Sequence, residues 1–141
     1  MNVIIFLFAL LSNNFQYVDL GHKTSLPNQA KVTIENNSVR TMTVKMMEQD
    51  YADGRLYQTK EILPYGRTIF YFDKTGTYFI KTKSVAHGRS PVCYKDDPFK
   101  VVNDDEGYSE ITITYSITES KNPSVDGGAG EEISEKEFDK N

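Results

Sequence analysis

Apolar and polar residues alternate along most of this chain, and the alternation has the period of a β-strand. It is clearest in Glu110–Thr118 (EITITYSIT), where Ile111, Ile113, Tyr115 and Ile117 share one face and Thr112, Thr114, Ser116 and Thr118 the other. Successive strand side chains point to opposite sides, so this segment predicts a long strand with one solvated face. Val39–Glu48 repeats the pattern, with Met42, Val44 and Met46 on one face and Thr41, Thr43 and Lys45 on the other. Ala30–Glu35 places Val32 and Ile34 together, and Leu56–Ile62 predicts a further strand that stops at Pro64-Tyr65-Gly66. Val92–Lys95 and Phe99–Val102 are shorter candidates separated by Asp96-Asp97-Pro98, and Asn103–Gly107 turns the chain back.

Tyr65–Ser84 is the densest stretch. Arg67–Phe72 and Thr77–Lys83 are rich in aromatic and β-branched residues, which suit a pleated, half-buried surface. Asp73-Lys74-Thr75-Gly76 lies between them with Asp and Gly in turn positions, so the stretch predicts a β-hairpin. Thr68, Phe70 and Phe72 then share one face of its first strand, opposite Ile69 and Tyr71. In its second strand Tyr78 and Ile80 oppose Phe79, Lys81 and Lys83. If the first set fills the core, Ile69, Tyr71 and Phe79 point outward beside Lys81 and Lys83. These five residues form the candidate binding surface, since exposed aromatic patches mark partners, sugars or other subunits. The alternative is that another part of the chain covers them.

About seven or eight short strands in roughly 90 residues, punctuated by turns, predict an all-β fold, an antiparallel β-sandwich. The wet faces of Val39–Glu48 and Glu110–Thr118 favour a sandwich over a small barrel. The run of Asn36–Ser38, Thr41-Met42-Thr43-Val44, Pro64-Tyr65-Gly66 and Gly76–Ile80 resembles extracellular Ig-like and transthyretin-like sandwiches. That resemblance rests on turn and strand chemistry and implies only the fold. The same Asn36-Asn37-Ser38 matches an N-glycosylation sequon, although a turn also accounts for it.

The flanks differ from this body. Val3–Leu11 is an unbroken apolar run, too short to span a bilayer, and suits the hydrophobic region of a secretory signal peptide covering residues 1–16. Its flanks lack an early Lys or Arg and an A-x-A cleavage site, and the alternative reading is a buried first strand. Residues 17–29 form a lead-in loop, 30–119 the sandwich, and 120–141 a polar acidic tail expected to be disordered. Within that tail Ser134–Glu137 fits a capping box, so a short helix ending near Phe138 is the alternative.

Charge changes the partner reading. Glu119–Asn141 carries seven acids and three bases, leaving 13 of each in the rest of the chain. A neutral body with an acidic end argues against a nucleic-acid partner, which needs a basic field. Catalytic groups are scarce. His22 and His87 both fall in predicted loops, and Cys93, the single cysteine, permits no internal disulfide. A Cys93–His87 pair has no supporting motif. Type 1 copper is excluded because YKDDPFKVV after Cys93 supplies neither His nor Met. Acidic turns at Asp50/Asp53, Asp96/Asp97 and Asp104/Asp105/Glu106 match no EF-hand loop, and Asp serves turns on its own account. The expectation is a small secreted or periplasmic module without catalytic residues, cofactor or metal. It would bind a protein or glycan at the cell surface or envelope, without a stable membrane span. A carbohydrate-binding module, or a fimbrial or surface-layer subunit assembled by strand addition and so homo-oligomeric, are the alternatives.

Overall fold

The computed structural model describes residues 15–16, 29–50, 54–126 and 129–141. Among these described residues there are twelve strands and one short helix: β1 (Phe15–Gln16), β2 (Ala30–Asn37), β3 (Thr41–Glu48), β4 (Arg55–Ile62), β5 (Arg67–Phe72), β6 (Gly76–Val85), β7 (Val92–Asp96), β8 (Phe99–Val101), β9 (Asn103–Asp104), β10 (Gly107–Thr118), β11 (Ser124–Asp126), β12 (Gly130–Ile133) and α1 (Glu135–Asp139). The eight alternating segments of the sequence correspond to β2–β8 and β10. Of the expected leader and lead-in loop, only Phe15–Gln16, which pairs with β10, and Gln29 are described; the rest lies outside the described residues.

Two sheets pack face to face as an all-β sandwich. One runs β1-β10-β2-β5, with β9 and β11 also on β10; the other runs β12-β7-β6-β3-β4, with β8 on β6. Pairing is antiparallel except between β10 and β2, which run parallel from Glu110↔Lys31 to Ser116↔Asn37. The alternation explains the core. Val32 and Ile34 of β2, Phe70 and Phe72 of β5 and the inward residues of β10 meet Met42, Val44, Met46, Tyr78 and Ile80 from the opposite sheet. Burying such side chains stabilises the fold by about 1.5–3 kcal/mol each. Phe72 and Tyr78 meet edge to face at 4.6 Å between ring centroids, and Tyr57 stacks on Phe72 at 5.0 Å.

That aromatic contact corrects the expected hairpin. β5 pairs with β2, whereas β6 pairs with β3, β7 and β8, so the two strands lie in different sheets. Asp73–Gly76 turns the chain across the core. Turn residues specify a reversal of direction, but not whether the reversed strands share hydrogen bonds or face each other through side chains.

The acidic tail is the second correction. Rather than trailing away, it adds β11 to β10 and β12 to the β7 edge, then ends in α1. Ser134 caps the helix by accepting from the Glu137 amide at 3.1 Å, as the capping box requires. Phe138 is buried beneath it.

Candidate binding surface

The structure divides the five expected surface residues between opposite sides of the sandwich. Ile69 is half-buried and Tyr71 exposed, both on the outer side of β5. Phe79 and Lys81, on β6, are 4% and 2% exposed. Phe79 packs under Gly54, where an added Cβ would stand 2.6 Å from its ring, and Lys95 lies over the ring at 5.0 Å. Lys81 is covered by the C-terminal helix, while Lys83 is half-buried and pairs with Glu135 at 2.7 Å. No single patch unites these residues. All five turn away from the core between the sheets, but Gly54 covers Phe79 and α1 covers Lys81.

A different surface emerges from strand register. Glu35↔Arg67, Met42↔Ile62 and Thr41↔Val85 place the ends of β2, β4 and β6 at one pole, and the parallel β10 ends there too. Four connections therefore converge: Ser38–Arg40, Leu63–Gly66, Ala86–Pro91 and Glu119–Pro123. Six large apolar residues are notably exposed among the described ones, and this pole carries Val39, Leu63, Tyr65 and Val85. Tyr65 is 67% exposed and adopts φ 57°, a left-handed conformation unfavourable for a bulky side chain.

Buried polar groups hold that conformation. Asn36 Nδ2 donates to the Arg40 and Leu63 carbonyls at 2.7 and 3.1 Å, and Asn36 Oδ1 accepts from Ser38 Oγ at 2.6 Å. The Asn36 amide donates to the Gly66 carbonyl at 2.9 Å, and the Tyr65 amide to that of Ser38 at 3.2 Å. Asn36 is 1% exposed, so its side chain serves as the loop's internal bracket and is inaccessible to glycosylation in the folded chain. Beside it, an open cleft of about 440 Å³ is lined by Tyr65, Arg67, Glu35 and Thr114.

Arg40 braces the rest of the pole. Its fully buried guanidinium donates to both Glu119 carboxylate oxygens at 2.7 and 3.1 Å and to the Ser84 and Ser90 carbonyls at 3.2 and 2.8 Å. Arg89 pairs with the same carboxylate at 2.7 Å. Hydrogen bonding from Arg40, joined by Arg89, holds the Glu119 carboxyl below its ordinary range. A cleft of about 510 Å³ opens here, lined by Arg89, Ser120, Lys121 and Pro123.

The remaining chemistry lies elsewhere. Cys93 is buried on β7 beside β12, and burial raises its thiol pKa, which disfavours the reactive thiolate. Asp104 Oδ1 accepts from the Glu106 and Gly107 amides, so this acid closes a turn. Among the described residues, no group of three His, Cys, Asp or Glu side chains could hold a metal ion, and no helix is long and apolar enough to cross a membrane. Loop residues are aperiodic, so alternation does not reveal the pole. Tyr65 in Pro64-Tyr65-Gly66 was the available signal, an aromatic residue where a turn favours small or polar ones. No family model and no curated protein matches the chain.

Proposed function

We propose that the protein is a non-catalytic binding module of the cell envelope or extracellular space, and that it recognises a macromolecular partner through the loop pole. The observation carrying this reading is the outward presentation of Val39, Leu63 and Tyr65 on loops fixed by buried Asn36 and Arg40. Loops on a rigid sandwich commonly carry recognition, and exposed aromatics of this kind act as anchors in interfaces. The left-handed Tyr65 fits a backbone that sets an aromatic side chain in place before a partner arrives.

Binding of labelled protein to intact cells and envelope fractions of its native host tests this reading. Tyr65→Ser and Leu63→Ser should each weaken binding roughly tenfold or more, the loss of about 1.4 kcal/mol, without altering the fold. Wild-type binding by both variants would refute it. A second reading, carbohydrate binding, rests on the exposed Tyr71 ring. Glycan-array binding lost on Tyr71→Ala but kept on Tyr65→Ser would favour that alternative.

A further inference from the structure

We infer that the C-terminal segment of β12 and α1 is exchangeable between two copies of the chain, the lysine-bearing face of each accepting the acidic segment of the other. This goes beyond the loop pole and uses another side of the sandwich.

The segment is held like a bound peptide. β12 lies on the edge of β7 from Gly130↔Asp96 to Ile133↔Cys93, a strand-addition geometry based on main-chain hydrogen bonds. Its Gly130, Glu131 and Glu132 are exposed, so the strand itself brings little to the core. Gly130 permits the approach, because a Cβ there would stand 2.5 Å from the Lys95 carbonyl oxygen. The helix then crosses the outer face of β3 and β6. Lys81 Nζ donates to the Glu137 and Lys140 carbonyls, both at 3.0 Å, and Lys45 Nζ to the Phe138 carbonyl at 2.9 Å. Carbonyls ending a helix lack internal partners and carry negative partial charge, so two ammonium groups suit them. Lys45 and Lys83 also lie 4.7 and 5.9 Å from the Phe138 ring centroid.

Charge and connection favour exchange. Glu135 pairs with Lys83 at 2.7 Å, and Glu131 stands opposite Lys95 in register, on the face that also bears Lys45 and Lys81. The joining sequence Asp126-Gly127-Gly128-Ala129-Gly130 is short, and short hinges invite exchange between copies. A second copy supplies the same strand, acids and Phe138, so the exchanged form can make the same contacts. Reciprocal exchange closes as a two-fold dimer and leaves no β7 edge bare. Intramolecular docking wins in dilute solution through its effective concentration, and exchange gains as protein concentration rises.

Ile133→Cys in the full chain tests the inference, because residue 133 lies opposite the native Cys93. Two differently tagged copies of this variant are mixed and oxidised at micromolar concentration, or after incubation at millimolar concentration in about 1 M salt, where the screening length falls to about 3 Å. The dilute sample should give an internally crosslinked monomer. The concentrated sample should give a reducible, doubly tagged band at twice the monomer mass, increased several-fold by deletion of Gly127 and Gly128. The unmodified chain, oxidised in parallel, should remain monomeric. Internal crosslinks alone under every condition, including the deletion, would overturn exchange. So would the absence of crosslinks, which would place residue 133 away from Cys93, or a Cys93–Cys93 dimer in the unmodified chain.

Discussion

Asp96→Asn should remove a defined part of the pH dependence of folding. Asp96 ends β7 and turns into the core, 4% exposed, where Oδ2 accepts from the hydroxyl of fully buried Tyr115. Its Oδ1 has no hydrogen-bond partner among the described residues. Burial pushes the carboxyl pKa up to about 7 against the downward pull of the Tyr115 bond, with the Asp97 charge assisting burial. The unfolded chain loses this proton near pH 3.8, whereas the folded chain retains it to about pH 7. The folded state thus binds more protons between those values. The stabilisation is fully present below the unfolded pKa, declines as pH rises through the interval, and is gone above about pH 7. Roughly three units at about 1.4 kcal/mol each amount to about 4 kcal/mol. Asn carries no charge at any pH in this range and can still accept from Tyr115. Urea unfolding of both proteins from pH 4 to pH 8 provides the assay. The wild type should lose about 4 kcal/mol relative to the variant across the range, while mispairing of the new amide adds only a pH-independent offset of about 1–3 kcal/mol. A wild-type-minus-variant difference that stays flat with pH would refute the reasoning, because Asp96 would then titrate alike in folded and unfolded chains.

Two further outcomes bear on the loop pole. Tyr65→Gly should stabilise the fold by up to about 1 kcal/mol in thermal or urea unfolding, since glycine adopts φ 57° without steric cost, while weakening partner binding; a destabilised variant would show that the Tyr65 side chain supports the fold. Arg40→Lys should cost about 2–4 kcal/mol, because one ammonium cannot reproduce the guanidinium's contacts with Glu119, Ser84 and Ser90. Stability within about 0.5 kcal/mol of wild type would refute the bracing role.

Much of the architecture was legible in the sequence because strand periodicity is local. Inward Ile111, Ile113 and Tyr115 all lie in the core, and β5 begins and ends where its aromatic pattern does. The candidate surface was less legible. Outward direction follows from alternation, but exposure depends on what covers that face, and α1 comes from residues more than fifty positions beyond Lys81. The tail shows the same effect. Its acidic composition suggested solvation, yet the cations that hold it lie on β3 and β6.

The sequence by itself determined the eight alternating strands and the side of each that turns inward, and offered the helix start at Ser134 as the alternative to a disordered tail, because these depend on neighbouring side chains and backbone chemistry. Only the tertiary structure decided that Asp73–Gly76 crosses between sheets, that β10 runs parallel to β2, that the C-terminal segment closes over four lysines, and that four loops meet beside Tyr65. Those arrangements depend on pairings between distant segments, where buried area and hydrogen bonding select among strand partners that local patterns leave equivalent.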